Sequence, residues 1–324
     1  MAYEVLPLPF KSHRLDGLSD RLLVSHYENN YGGAVRRLNA IESRLAGVDW
    51  STSPVFELNG LGRERLMAAN SMLLHEAYFD ALGGSGEPGG GLARALERDF
   101  GSVDRWRTEF TSMAKALAGG SGWALLTWSD RLGRMTNQWA ADHCHTLAGG
   151  VPVLALDMYE HAYALDFGAK AAPYVDAFMR NVHWERIAAR HGHALDPDLP
   201  TTPWPDPDVP TITAGELHAM IERGENVTLV DVCRAEDVER RHDMIAGARF
   251  LLSEAIDRWA DELPRNKPVV TYCMYGSQVS GEATIELRRR GLDARALAGG
   301  LAAWHAMGWP TAPIIPASTG GEAS

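Results

Sequence analysis

The chain is poor in cysteine, in long apolar runs and in positive charge. Its 324 residues include only three cysteines, Cys144, Cys233 and Cys273. An odd and sparse set excludes a disulfide scaffold and points to a reducing, cytoplasmic setting. No apolar run approaches the ~18 residues of a membrane-spanning helix. The opening, MAYEVLPLPFKSHRLDG, has no basic segment leading into a long apolar stretch, so no secretory leader is expected. Lysine and arginine number 31 against 42 aspartates and glutamates, a net charge of -11. Such a surface repels phosphate backbones and anionic membranes, which argues against nucleic-acid and membrane partners.

What is present suits a folded chain: 45% hydrophobic and 23% charged residues match globular averages. At about 150 residues per domain the length implies about two domains. Six prolines lie between Pro197 and Pro210 in GHALDPDLPTTPWPDPDVPTI. Proline fixes φ and removes a donor, so an extended linker is expected over 192–210. A disordered tail is expected over 314–324.

Before the linker the patterning is helical, then mixed. Leu18, Leu22 and His26 share one stripe, and Leu38, Ile41 and Leu45 continue it. Helices are expected over Leu61–Leu82, with Met72, His75 and Phe79 on one face, and over Leu92–Leu117. GGSGEPGGG separates them. Strands are expected at Trp123–Trp128, Gly133–Trp139 and VPVLAL, followed by one helical run through AYALDFGAKAAPYVDAFMRNV. After the linker, strand and helix alternate: VTLVDV, AEDVERRH, PVVTYC, QVSGEATIELRRRG, ARALAG, LAAWHAMG. That rhythm predicts an α/β domain with a parallel sheet.

Two constellations carry chemistry. His26, His75, Asp157 and His161 offer three imidazoles and a carboxylate, a donor set suited to iron, manganese or zinc. His26 and His75 each sit on an apolar helix stripe. Asp157 and His161 are four apart, so a helical turn would aim both one way. Each histidine alone reads more readily as a core residue than as a ligand; the set together points to a metal. The second constellation is Cys273. It ends the apolar strand PVVTY and precedes a helix, a place where backbone N–H groups favour a thiolate or bind an anion. An inert buried cysteine is the alternative.

Residues 3–191 resemble the iron/manganese superoxide dismutase family. The resemblance rests on YEVLPLPF, SHYENNYGGAVRRLN with His26, LLHEAYFDALG with His75, GSGWALL with Trp123, and DMYEHAY with Asp157 and His161. It implies a helical hairpin (1–88) followed by an α+β part (89–191), with one Fe or Mn ion per chain on those four side chains. It also implies superoxide as substrate and a homodimer in which Glu160 reaches the partner's ligand histidine. The family's tuning glutamine or histidine corresponds to His143, with Asp142 as the other choice. Departures are Ala34 for the gateway tyrosine, Asn30 and Tyr31 for two histidines, Tyr159 and Phe79 for tryptophans, and Lys170 for the anion-attracting arginine.

Residues 211–313 resemble the rhodanese domain, through LVDVCRAEDVERRH, IAGAR, YCMYGSQVSGEAT and LAGGLAAWHAMGWP. This implies a persulfide on Cys273 within the loop Met274, Tyr275, Gly276, Ser277 and Gln278, with sulfur donor and acceptor unspecified. The loop's usual arginine is Gln278, so an anionic donor such as thiosulfate is disfavoured. Cys233 stands where an arginine normally follows Asp-Val, and is expected close enough to Cys273 to act as a resolving thiol. Three functions follow: a dismutase with an appended sulfur-transfer or redox-sensing domain, a metal-binding sensor with little turnover, or a sulfurtransferase on a dimerising scaffold.

Overall fold

A computed structural model describes residues 2–199, 208–234, 241–276 and 278–314. The chain divides into two compact units, Met1–Tyr3 with Leu8–Thr202, and Glu4–Pro7 with Pro203–Ser324. Linker residues 200–207, the 235–240 part of the helix expected over AEDVERRH, Ser277 and tail residues 315–324 lie outside the described residues. No helix among the described residues is long and apolar enough to cross a membrane.

The first unit opens with a helical hairpin. Ser19 starts it, its hydroxyl accepting the Leu22 N–H at 3.1 Å, as an N-cap should. The helix Asp20–Ser25 widens into a π-turn, His26–Tyr31, and resumes as Gly32–Ala46. The second arm is Val55–Asp80, six residues longer at its start than the apolar stripe suggests. The single helix expected over Leu92–Leu117 is two, Gly90–Phe100 and Val103–Ala116. Ser102 intervenes and caps the second by accepting the Arg105 N–H.

Strands β1 (Trp123–Ser129), β2 (Arg134–Ala140) and β3 (Gly150–Asp157) form an antiparallel sheet in the order β2-β1-β3. The helical run expected after β3 is broken into Ala164–Phe167 and Ala171–Arg180. The break is Gly168, at φ +55°, a left-handed conformation that side-chain-bearing residues rarely take. A further helix, Trp184–Leu195, runs through Gly192–Leu195, which the proline argument had placed in the linker. The prolines begin only at Pro197, so nothing stops the helix earlier.

In the second unit five strands form an all-parallel sheet. They are β4 (Thr211–Ile212), β5 (Thr228–Asp231), β7 (Arg249–Phe250), β8 (Val269–Tyr272) and β9 (Ala294–Leu297). The order is β4-β9-β8-β5-β7. Strands β6 (Asp243–Ile245) and β10 (Thr311–Pro313) make a separate antiparallel pair, unforeseen because each is three residues long. The central strands are buried along their whole length, as expected of a covered parallel sheet.

Candidate metal centre and thiol site

The four side chains singled out by spacing converge. One ligand atom from each of His26, His75, Asp157 and His161 lies within 4.8 Å of all the others. The hairpin delivers two of them: His26 from the first residue of the π-turn and His75 from the long helix. Strand β3 ends on Asp157, paired across from Trp123. His161 sits in a 3-10 turn, Glu160–Ala162. Asp157 and His161 therefore meet by a strand end and a tight turn, not by the helical turn their spacing suggested.

Asp157 is at the centre. Its Oδ2 is 3.1 Å from Nε2 of His26, 3.1 Å from Nε2 of His161 and 3.5 Å from Nε2 of His75. Its Oδ1 accepts the Tyr159 N–H at 2.8 Å, and its carbonyl accepts the Tyr174 hydroxyl at 2.8 Å. Burial opposes its charge, yet the charge and hydrogen bonds of His161 and His26 hold its carboxyl well below the usual range. Burial pushes the other way on the imidazoles. His26 is lowered, and His75 is lowered to about 3, by burial first and then by His26. Both rings are neutral at physiological pH and keep a nitrogen lone pair.

The tautomer of His75 follows from its neighbour. Nδ1 lies 2.6 Å from the Ser71 carbonyl, which only accepts, so Nδ1 carries the proton. The bare lone pair is then on Nε2, which has no hydrogen-bond partner among the described residues. A buried lone pair without a donor is costly. Facing two more imidazoles and a carboxylate, it fits a bound cation, with oxygen and nitrogen donors that suit iron or manganese.

Around this cluster lies an aromatic wall. Trp123 Nε1–H donates to His143 Nδ1 at 3.0 Å, so neutral His143 bears its proton on Nε2. The Asn70 amide holds the His143 carbonyl at 2.7 Å. His143 stacks on Tyr159 at 4.9 Å, and Tyr159 on His161 at 5.4 Å. The Asp142 carboxylate instead accepts its neighbour Cys144 N–H. Tyr78 and Phe79 pack on His26. Asn30 and Ala34 are on the same hairpin arm, with Ala34 buried. Lys170 and Glu160 are exposed; Lys170 starts the helix Ala171–Arg180, and Glu160 the turn that bears His161.

One pair escaped the sequence reading. The Tyr31 hydroxyl donates to the Glu76 carboxylate at 3.0 Å, and the Tyr31 ring stacks on His75. Tyr31 ends the π-turn that begins with His26, and Glu76 follows His75. The signal available was adjacency: each residue neighbours or shares a turn with a candidate ligand.

In the second unit Cys273 follows β8 and is buried, with Sγ 3.5 Å from the Ser280 hydroxyl. Its carbonyl accepts the Leu301 N–H at 3.0 Å, and that of Met274 the Ala302 N–H at 2.9 Å. The loop is therefore fastened to the start of the helix Gly300–Ala306. Gly276 (φ +64°) and Gly300 (φ +56°) allow this approach: a Cβ on Gly276 would meet Gly299 N at 2.5 Å, and one on Gly300 would overlap the Cys273 carbonyl. Gly300→Ala is expected to destabilise this unit by at least about 2 kcal/mol, read as a lowered urea midpoint. Met274 and Tyr275 are half-buried; Gln278 begins the helix Gln278–Arg289 and donates to Glu282 at 2.7 Å. Cys233 follows β5, fully enclosed. Beside it Arg241 pairs with Asp231 at 2.5 Å, both buried.

Both parts of the chain are similar to known proteins. The model of the iron/manganese superoxide dismutase C-terminal domain matches residues 88–190, and the rhodanese-like domain model matches 213–307. An iron superoxide dismutase from Cupriavidus metallidurans is 65% identical over 195 residues, which is 60% of this chain and 99% of that one. An iron superoxide dismutase from Aquifex pyrophilus is 33% identical, covering 57% of this chain and 89% of its own. A manganese superoxide dismutase from Haloferax volcanii is 32% identical, with shares of 60% and 98%.

Proposed function

Because the chain belongs to the iron/manganese superoxide dismutase family and carries an appended rhodanese-like domain, we propose that it dismutates superoxide at His26, His75, Asp157 and His161. The observation that carries the reading is the convergence of those four ligand atoms, three of them on buried side chains, with His75 Nε2 unpartnered among the described residues. An iron or manganese ion held by these four side chains would supply the one-electron chemistry by which two superoxides and two protons become oxygen and hydrogen peroxide. Iron is the first assignment, since the 65% identical relative is named for it.

The chain's own residues bind, orient and supply protons. The buried His26 and His75 rings are neutral, and the Asp157 carboxylate between them is charged. His143, fixed by Trp123, carries an Nε2–H and lies near His75, 6.3 Å between ring centres. The Tyr31–Glu76 bond ties the π-turn of His26 to the helix of His75, so the two ligands keep their separation. Lys170 supplies the positive charge that draws in the anion.

Replacing Trp123 by Phe removes the donor that sets the His143 tautomer. Metal content is expected to persist while superoxide turnover falls by about 10–100-fold, the usual cost of losing a group that orients a metal site. Stopped-flow superoxide decay with the iron- or manganese-loaded chain tests the whole reading. Catalysed decay is expected; decay at the spontaneous rate removes it.

In the same reading Cys273 carries sulfane sulfur: its thiolate attacks the outer sulfur of a persulfide donor, and the donor leaves as a thiol. The loop has no cation, and Gln278 is turned onto Glu282. Thiosulfate is therefore expected to be at least about tenfold poorer than a persulfide donor, the worth of one charge-assisted contact. Cyanide-dependent thiocyanate formation, lost in Cys273→Ala, is the measurement. The protein works in this reading as a cytoplasmic homodimer, exposed Glu160 reaching the partner's ligand histidine; sedimentation of the Glu160→Ala variant as a monomer is the expected result.

A further inference from the structure

Cys233 and Cys273 follow the C-terminal ends of two adjacent strands. Asp231 of β5 lies opposite Tyr272 of β8 in parallel register. The ladder extends one bond further, with the Val232 N–H donating to the Tyr272 carbonyl at 2.8 Å. Cys273 is then level with Val232, and Cys233 is one residue beyond. A strand spacing of about 4.8 Å and a rise of about 3.3 Å put such a diagonal pair about 6 Å apart at Cα, within the ~4.4–6.8 Å span of disulfides.

Strict alternation would send the two side chains to opposite faces. The strand, however, ends at Asp231, whose Oδ1 accepts the Cys233 N–H at 3.3 Å. This is a side-chain turn that takes Cys233 out of the pleat. Both cysteines lie in one buried cluster with Val232, Val279 and Ala283, and both are free. A cavity of about 300 Å³ lined in part by Arg234, Ile256, Val279 and Ala283 borders that cluster. It has ample room for a molecule the size of water or peroxide.

We propose that Cys273 reduces hydrogen peroxide and that Cys233 closes the product into an intrachain disulfide. The Cys273 thiolate attacks one peroxide oxygen. An S–O bond forms, the O–O bond breaks, and the leaving hydroxide takes a proton to become water. The Cys233 sulfur then attacks the Cys273 sulfur. An S–S bond forms, the S–O bond breaks, and the Cys233 proton leaves with hydroxide as a second water. Two thiols and one peroxide thus give one disulfide and two waters. Cys273 is the attacking residue because it lies nearer the surface than Cys233 and on the loop that leads into the helix Gln278–Arg289. Burial, and Asp231 beside it, push the Cys233 thiol up and keep it protonated until called on, with Cys273 near enough to add to the effect. A neutral oxidant also suits a loop, CMYGSQ, that has no cation to hold an anion. The supply of peroxide, and that alone, rests on the dismutase reading.

The test uses the reduced full-length chain. After stoichiometric hydrogen peroxide, peptide mapping without reductant should find Cys233 joined to Cys273, and a dithiol should release it. The Cys144→Ser variant should form the same link. In Cys233→Ser, Cys273 should run on to the sulfinic acid. Oxidation of Cys273 in the wild type with Cys233 still free, or a link through Cys144, overturns the proposal. In a second arm the metal-loaded chain meets superoxide instead. The same link, suppressed by catalase, is expected. A link with added peroxide but none with superoxide upholds the thiol pair and overturns its supply by the metal centre.

Discussion

Asp157→Asn is expected to purify without stoichiometric iron or manganese and to consume superoxide more than about a hundredfold more slowly than the wild type. That exceeds the ~10–100-fold cost of losing a group that merely supports a ligand. The substitution is nearly isosteric. Its carbonyl oxygen can still accept the Tyr159 N–H, now at 2.8 Å from Oδ1. What changes is the atom at Oδ2, which lies within 3.5 Å of all three imidazoles. An amide there is uncharged and presents hydrogens toward the nitrogens that must receive the cation. His75 stays neutral, since burial holds it at about 3, so no second charge compensates. An unchanged far-ultraviolet spectrum separates loss of the ligand from loss of the fold. Retained metal and retained activity would mean that the carboxylate only props the histidines.

The second large effect lies in the other unit. Arg241→Ala is expected to cost about 3–5 kcal/mol, because it leaves the Asp231 carboxylate buried without its partner. Asp231 is fully enclosed and Arg241 nearly so, 2.5 Å apart. That is a large fraction of a domain's total stability of about 5–15 kcal/mol, so the unfolding midpoint of this unit alone should fall steeply. The double variant Asp231→Asn with Arg241→Met removes both charges and should recover much of the loss. A fall below about 1 kcal/mol in the single variant would show that water reaches the pair.

Much of both sites was legible because each rests on local spacing. His26 and His75 lie on apolar stripes whose period fixes the face they share. Cys273 is marked by an apolar strand that stops and a helix that starts. The distance from Asp157 to His161 was read correctly and its geometry was not. Four residues can be bridged by a helical turn or by a strand end and a 3-10 turn, and pairing of Asp157 with Trp123 across the sheet decides between them. Long-range bonds left no trace in spacing. The Trp123 indole that sets the His143 tautomer is 20 residues away, the Glu76 that holds Tyr31 is 45 away, and Arg241 is ten residues from the Asp231 it pairs with. The helix Trp184–Leu195 runs past residue 192, where the linker was expected to start, because the first proline comes only at Pro197. Gly168, one residue among 21, was enough to split a run whose apolar period continues on both sides.

The most direct measurement of the central claim is a titration of the metal-free full-length chain with iron or manganese, following superoxide decay at each addition. The account predicts activity that rises linearly with bound metal and saturates at one ion per chain, with no rise in Asp157→Asn. Saturation of the metal site with no acceleration of superoxide decay would contradict it.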